Sequence, residues 1–268
     1  MKQVGIFKQA AQRAYLLRLL VKRNIRNQYY GSFIGVLWTV LNPLLNMLVM
    51  AFVFSMLFGT GDIKLDYSVY VLSGNIIFNV MRASTSESLP CLVSQRDLLQ
   101  KNKISVSIFP VSNVLSSLVT FGFSFIALVG VMVVRILMGA DMVAFHWEII
   151  LTFVLLPSLL LFSLGISLFL SSLFVFFRDI QHFYTVILTL WTYLTPLFYT
   201  VDSLNNDLVK KVMGLNPMYH YVEYFRSLLM GVVPSLRAHL ICYGFGLIFL
   251  LIGYLFMRLT KNSIAARL

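Results

Sequence analysis

The stretch that decides the fold runs from Trp191 to Gly231 and reads WTYLTPLFYTVDSLNNDLVKKVMGLNPMYHYVEYFRSLLMG. Three residues that interrupt helices divide it: Pro196, Asn216 and Pro217. Its second half is aromatic and amphipathic but carries Glu223 and Arg226, which suit neither a lipid-facing helix nor a solvated loop. Non-helical backbone at membrane depth is tolerated only where protein or a water-filled cavity covers it. We therefore expect a re-entrant element at the mouth of a pathway.

The remainder of the chain is apolar enough to be an integral membrane protein. Of its 268 residues, 59% are hydrophobic and 12% are charged, whereas a soluble domain is roughly half apolar. Six blocks have the ~20 residues needed to cross a hydrocarbon core of about 30 Å. They lie at approximately 33–58, 68–90, 108–137, 149–177, 180–200 and 236–259. The sequence predicts an all-α protein with six spanning helices in a single membrane domain over residues 1–268.

The basic residues indicate the orientation of the chain. The net charge is +11, and the basic residues concentrate before the first block, after the second and after the last. The loops at 59–67 and 138–148 contain acidic residues and one lysine, Lys64. The positive-inside rule therefore predicts that both termini are cytoplasmic. This distribution explains the net charge better than a nucleic-acid partner does.

Residues 1–30 are predicted to form an amphipathic helix in the cytoplasmic interface. Phe7, Ala14, Leu17 and Val21 fall on one face at helical spacing, with basic and polar residues opposite. Such a helix is held by its apolar face and by anionic lipid heads. Simple anchoring is one interpretation, and contact with a cytoplasmic partner is the other.

The second block carries a polar stripe. Its members recur at intervals of 7, 4, 3 and 4 residues and share one helix face: Ser68, Asn75, Asn79, Arg82 and Ser86. An arginine deep in a span costs at least about 3 kcal/mol if it faces lipid, so the stripe must face protein or water. Hydrogen bonds between helices and a hydrophilic path both remain possible. Glu87 lies off the stripe, where we expect it to pair with a neighbouring helix.

Two cytoplasmic segments are candidates for contact with a partner. Residues 94–103 read SQRDLLQKNK, in which Ser94 and Asp97 resemble a capping box and Leu98 and Leu99 are expected to be exposed. Exposed leucines among charges favour a docking helix over a plain connecting turn. The short hairpin between blocks four and five, FFRDIQHF at 176–183, offers either an internal ion pair or a second contact with the same partner.

The sequence contains no signature of catalysis. It has no GxxxxGK[ST] loop for nucleotide phosphates, no HExxH pair and no nucleophile elbow. Its four histidines are scattered, and Cys91 and Cys242 have neither metal-ligand nor redox spacing. A membrane-embedded transferase would need a carboxylate or histidine cluster near the membrane surface, which the sequence lacks.

Five segments in order carry a resemblance to a known family. They are GSFIGVLWTVLNPLL at 31–45, QRDLLQKNKI at 95–104, FRDI at 177–180, TPLFYT at 195–200 and LNPMYHYVEYFRSLLMG at 215–231. Together with the basic amphipathic N-terminus, they resemble the permease subunit of type-2 ABC exporters. Within that family the chain resembles the branch that exports lipid-linked cell-surface polymers, and the resemblance covers essentially the whole chain.

The resemblance implies a complex in the bacterial plasma membrane. The family fold has six spanning helices per subunit, a homodimer of permeases and two copies of a separate ATP-binding subunit at the cytoplasmic face. The chain would not be an enzyme by itself and would hold no cofactor, because ATP and magnesium would bind to the partner. The other expected partners are membrane lipids and the cargo, a polymer linked to undecaprenyl pyrophosphate.

The resemblance also implies a role for particular residues. A coupling helix within 91–105, assisted by the hairpin, would contact the ATP-binding subunit through Arg96, Asp97, Leu98, Leu99, Lys101, Lys103, Arg178 and Asp179. The translocation path would be lined by Asn75, Asn79, Arg82, Ser86, Tyr193, Pro196 and Tyr199. External gate helices within 201–232 would act through Pro217, Tyr219, Tyr221, Glu223 and Arg226. The lipid pyrophosphate would enter beside Lys22, Arg23 and Arg26.

The cargo is the least determined part of this hypothesis. The polar second block and the aromatic external loop favour a polymer over the small hydrophobic cargo of a drug exporter. We expect wall teichoic acid, with O-antigen or capsular polysaccharide as the alternative.

Overall fold

The computed structural model describes residues 2–29, 45, 49, 65–101, 104–140, 142–201 and 207–267. Within these ranges every regular element is helical. The helices are α1 (Lys2–Tyr29), α2 (Tyr67–Ser88), α3 (Cys91–Ser94), α4 (Arg96–Lys101), α5 (Ile108–Leu137), α6 (Thr152–Phe176), α7 (Ile180–Leu194), α8 (Asp207–Gly214), α9 (Pro217–Leu229) and α10 (Leu236–Arg267). A 3₁₀ turn, Trp147–Leu151, leads into α6.

Three helices in the described part of the chain are long and apolar enough to cross a membrane. They are Ile108–Leu137, the continuous stretch Trp147–Phe176, and Leu236–Arg267. They coincide with the predicted third, fourth and sixth blocks and confirm an all-helical integral membrane protein. The predicted first block, 33–58, lies outside the described residues except for Leu45 and Val49. Six spans therefore stay a prediction.

The other two predicted blocks also form helices, but shorter ones. Helix α2 has 22 residues and carries the polar stripe. Helix α7 has 15 residues and ends at Leu194, whereas the sequence predicted a span that continues to residue 200. The physical reason is Pro196: the residue before a proline avoids the helical region, and Thr195 is extended with ψ 127°. The chain from 195 to 201 consequently has no regular structure.

Helices α6 and α10 approach each other to backbone contact because both present glycine. A Cβ atom added at Gly165 would overlap the backbone of Phe249 and Leu250, and one at Gly253 would overlap the Gly165 carbonyl. Small residues at such positions let helices pack through their backbones in a membrane. Helices α6 and α10 therefore form a closely packed pair.

Helix α2 packs in the centre of the main hydrophobic cluster. Its buried face includes Val71, Ile77 and Met81, all fully buried against residues of α5, α6, α7 and α9. Its first turn is fixed by Asp66, whose carboxylate accepts from the Ser68 backbone N–H at 3.1 Å and from Arg135 of α5 at 2.6 Å. A second cluster joins α1 to the remainder through Leu20. Helix α1 thus covers most of the segment predicted at 1–30, and its position at a membrane interface stays a prediction.

Candidate translocation site

The described part of residues 201–232, where the resemblance implied gate helices, contains two short helices. Helix α8 occupies Asp207–Gly214, and α9 occupies Pro217–Leu229. Asn216 caps α9, because its side-chain oxygen accepts from the Met218 backbone N–H at 3.0 Å. Pro217 follows at the first helical position, where a missing N–H costs nothing. The residues that break the run thus start a new helix.

The Asn216 side chain also binds the end of α7. Its oxygen accepts a second hydrogen bond from Trp191 Nε1 at 2.8 Å. Its nitrogen donates to Thr195 Oγ1 at 2.9 Å and to the Leu194 carbonyl at 3.2 Å. One amide therefore joins the start of α9 to the last turn of α7 and to the residue that follows it.

Arg226 of α9 is buried in the interior, with 1% of its surface exposed. Nη1 donates to the Pro196 carbonyl at 2.8 Å, and Nη2 donates to the carbonyls of Leu197 at 3.1 Å and Tyr70 at 3.2 Å. Its Cζ lies 3.5 Å from the centroid of the Tyr70 ring, a cation–π distance. The guanidinium therefore connects α9, α2 and the chain that follows α7.

The neighbouring acid contributes little to this arrangement. Glu223 Oε2 lies 4.0 Å from Arg226 Nη1, and the Glu223 side chain is 47% exposed. Carbonyl dipoles surround the buried charge in place of a carboxylate, and Nε has no hydrogen-bond partner among the described residues. Gly74 of α2 makes room for the guanidinium, since a Cβ there would lie 2.8 Å from Nη2.

We call residues 195–199 the strap. Two tyrosines at the start of α2 complete its hydrogen bonding: Tyr67 donates to the Phe198 carbonyl at 2.9 Å, and Tyr70 donates to the Tyr199 carbonyl at 2.7 Å. With the two bonds from Arg226, all four carbonyls from residue 196 to residue 199 accept from side chains. Such pairing lets irregular backbone lie inside an apolar protein. Sequence reasoning missed Tyr67, Tyr70 and Gly74, which carry no local signal for this role.

The remaining residues predicted for the gate and the path differ in their exposure to solvent. Tyr221 is fully buried and donates to the Cys242 carbonyl at 2.7 Å, so it joins α9 to α10. The Pro196 side chain is buried within the strap. Tyr193 is 61% exposed, and Tyr199 and Tyr219 are partly buried. The roles given to these residues stay predictions.

The polar stripe of α2 lies on the side of the helix that this chain leaves open. Ser68, Asn75 and Asn79 are partly buried, and Arg82 and Ser86 are exposed. Asn75 donates to the carbonyl of Val71 on its own helix at 3.0 Å. Among the described residues, nothing accepts a hydrogen bond from the Arg82 guanidinium or forms an ion pair with it.

The coupling segment differs in detail from its prediction. Helix α4 presents Arg96, Asp97 and Lys101 to solvent, and Lys103 lies outside the described residues. Leu98 is 37% exposed, whereas Leu99 is partly buried against the second cluster. The Ser94 hydroxyl donates to the Cys91 carbonyl at 3.1 Å and does not cap α4, because a separate turn, α3, already occupies 91–94.

The hairpin and α1 are the other two segments predicted to face the cytoplasm. Arg178 and Asp179 are both exposed, and the internal ion pair, one of the two alternatives for this hairpin, does not form. On α1, Lys22 and Arg26 are exposed, while Arg23 is partly buried and donates to Gln95 Oε1 at 3.0 Å. That bond attaches α1 to the residue directly before α4.

Cys91 is a structural residue in this arrangement. Only 6% of its surface is exposed, and burial raises the pKa of its thiol, so the nucleophilic thiolate is disfavoured. Within the described ranges, no three histidine, cysteine, aspartate or glutamate side chains come together to hold a metal ion.

Comparison with known proteins identifies relatives over most of the chain. A family model described as ABC-2 type transporter matches residues 15–230. An O-antigen export system permease protein, RfbA, of Myxococcus xanthus is 28% identical over 215 residues, which cover 80% of this chain and 79% of the relative. Two proteins of the same name from Klebsiella pneumoniae are 25% and 24% identical, over 89% and 93% of each chain.

Proposed function

The chain belongs to the ABC-2 type transporter family, and from that premise we propose that it exports a lipid-linked polysaccharide of the O-antigen or capsular kind. Its identity as the permease of such a transporter follows from the family and its relatives. It is therefore a bacterial membrane protein and not an enzyme by itself, because ATP hydrolysis belongs to a separate ABC ATP-binding subunit.

The relatives favour a polysaccharide as the cargo. All three reported relatives are named O-antigen export permeases, and the identities extend over 80% to 93% of this chain. The sequence alone led us to expect wall teichoic acid, but none of these relatives is named for that polymer. The comparisons thus support the alternative that the sequence left open.

The observation that carries the proposal is the open polar stripe on α2. Arg82 and Ser86 are exposed although they lie in a predicted span, and the guanidinium is unpartnered among the described residues. A charged side chain at membrane depth faces protein or water. In a homodimer the stripes of two subunits would face one another across a hydrophilic conduit, through which a polar polymer can pass.

Exposed groups at the cytoplasmic face would couple this conduit to ATP hydrolysis. Leu98 is exposed on α4 between exposed charged residues. Arg178 and Asp179 are also exposed and do not form an ion pair with each other. We infer that these residues bind two copies of the ATP-binding subunit, which would hold ATP and magnesium while this chain holds no cofactor. Both termini would then be cytoplasmic, and α8 and α9 would form the external gate.

The lipid carrier would enter beside α1. Exposed Lys22 and Arg26 present positive charge, which attracts an anionic pyrophosphate. The carrier we propose is undecaprenyl pyrophosphate, taken from the cytoplasmic leaflet. Helix α1 would lie along that leaflet as an interfacial helix.

Mass spectrometry of the tagged chain, purified in mild detergent, tests the proposal. We expect an ATP-binding subunit and an undecaprenyl-linked polysaccharide to copurify. Recovery of a polyol phosphate polymer in place of a polysaccharide would overturn the proposed cargo.

A matched variant tests the coupling surface in the same preparation. Leu98→Asp places a charge at an exposed position, so we expect it to lose the ATP-binding subunit without a change in thermal stability. Val233→Asp, at a residue that is 54% exposed in the loop between α9 and α10, is the control and should retain that subunit. Equal retention by both variants would contradict the role of α4.

A further inference from the structure

A polar cavity lies near the C-terminal end of α2, far from the strap. It has a volume of about 370 Å³, is open on one side, and is bordered by α1, the last turn of α2, the turn at 91–95 and the start of α5. Its polar lining comprises Arg23, Asn24, Asn27, Glu87, Ser94, Gln95, Ser112 and Asn113. The volume is within the range of about 300–1,000 Å³ typical of small-molecule sites.

The walls of this cavity are held by hydrogen bonds between the helices. Asn24 Nδ2 donates to Asn113 Oδ1 at 2.7 Å, which joins α1 to α5. Arg23 Nη1 donates to Gln95 Oε1 at 3.0 Å, which joins α1 to the residue before α4. Phe109, with 2% of its surface exposed, supplies an apolar part of the lining. The polar groups are thus pre-positioned around a formed space.

Two polar side chains of the cavity remain open to a ligand. Glu87 and Asn27 are exposed and make no hydrogen bond or ion pair with described residues, although Glu87 was expected to pair with a neighbouring helix. Both side chains can therefore exchange hydrogen bonds to water for hydrogen bonds to a ligand.

The charges and hydrogen-bonding groups of the cavity indicate a neutral, hydroxyl-rich ligand. One guanidinium and one carboxylate cancel, so the cavity lacks the excess positive charge that would favour a pyrophosphate. Its four amides each provide both donors and acceptors, and a hydroxyl group can donate to one of these and accept from another. Adjacent hydroxyls on a sugar ring therefore match the lining better than an anion does.

We propose that this cavity binds a sugar of the lipid-linked cargo, close to the pyrophosphate of its carrier. The proposal rests on the proposed function and adds a recognition site to it. Exposed Lys22 and Arg26 lie within one helical turn of Arg23, so a pyrophosphate held at the rim leaves its first sugar beside the cavity. The permease would thereby distinguish a loaded carrier from an empty one before transport.

A comparison of two lipid probes tests this site. The permease and its ATP-binding subunit are reconstituted in liposomes, and ATP hydrolysis is measured against undecaprenyl pyrophosphate with and without one linked hexose. We expect the wild type to respond to the sugar-bearing probe at a lower concentration. Asn27→Ala and Glu87→Gln should each raise the half-maximal concentration of that probe by about fivefold, the effect of one lost hydrogen bond. Neither should change the response to the bare probe.

Lys22→Ala is the matched control on α1, because it should weaken the response to both probes equally. Both cavity variants alter exposed side chains, and copurification with the ATP-binding subunit verifies that they fold. The cavity proposal is overturned if the wild type does not discriminate, or if the variants affect both probes alike or neither. A wild type that responds to neither probe would instead overturn the proposed carrier.

Discussion

Polar groups near the two ends of α2 differ in whether they have hydrogen-bond partners. At its N-terminal end, Tyr67, Tyr70 and Arg226 pair with all four carbonyls of residues 196–199. Towards its C-terminal end, Arg82 and Glu87 lie exposed without a partner among the described residues. Polar groups that are hydrogen-bonded within the chain stabilise one conformation. Those without such bonds can bind water, cargo or a second subunit. The bonded polar groups at one end of α2 are therefore expected to stabilise the fold, and the unbonded ones towards the other end to act in transport.

The largest loss of stability is expected for Arg226→Ala, which removes three hydrogen bonds, two of them to carbonyls of the strap. Removal of the guanidinium leaves buried carbonyls of Pro196, Leu197 and Tyr70 without these donors, at a cost of roughly 3 kcal/mol or more. Thermal unfolding in detergent measures the loss. Arg226→Lys should recover only part of it, because an ammonium lacks the planar fork. Unchanged unfolding with lost export would instead make Arg226 a moving gate residue.

Gly74→Ala should also disturb the contacts of Arg226, because it adds a methyl group beside the guanidinium. The added Cβ would lie 2.8 Å from Arg226 Nη2 and 3.2 Å from Leu197 Cδ2, so one of them must move. Overpacking of this kind costs about 1–3 kcal/mol. Gly122→Ala on α5 is the control, since no atom lies within 4 Å of its added Cβ. If both variants unfold at the same temperature, the close packing around Gly74 is wrong.

Tyr67→Phe removes one strap bond and keeps the ring. We expect a loss of about 1 kcal/mol, the net contribution of one hydrogen bond. Tyr15→Phe is the matched control, because Tyr15 is 66% exposed and should tolerate the change. Differential scanning fluorimetry of the two variants provides the measurement, and equal melting temperatures would contradict the strap bond.

Arg82→Ala should have the smallest effect on stability but a clear one on transport. The residue has no partner to lose within the described chain, so the melting temperature should not change. Export of the lipid-linked polymer should fall by about tenfold, which corresponds to about 1.4 kcal/mol on a barrier. Arg237→Ala removes an exposed arginine outside the stripe and should preserve export. A lower melting temperature with normal export would identify Arg82 as a structural residue.

Much of the fold could be predicted from local signals in the sequence. Apolar runs identified α5, α6 and α10, and Asn216 and Pro217 were recognised as a break in the helical run, which lies at the start of α9. The end of α7 was placed six residues too late, although Pro196 was visible in the sequence. The apolar run continued past the proline, and hydrophobicity was given more weight than the backbone preference of the residue before it.

The partners of Arg226 could not be predicted in the same way. A charge rule suggests Glu223, three residues away, but the guanidinium binds carbonyls that are 29, 30 and 156 residues distant in sequence. Carbonyl groups belong to every residue, so no side-chain pattern reveals which of them are left free. The cavity is equally hidden, because its Asn24–Asn113 bond joins residues 89 positions apart.

The three bonds that Asn216 makes to Trp191, Thr195 and Leu194 have a mechanical consequence. A rotation of α9 against α7 would have to break all three together, so the amide holds the two helices in a fixed relation. Directly beyond α9, Gly231 adopts φ 71°, a left-handed conformation that favours glycine. A Cβ atom there would also lie 2.6 Å from Nδ1 of His146, so the turn that follows α9 requires glycine for both its conformation and its packing.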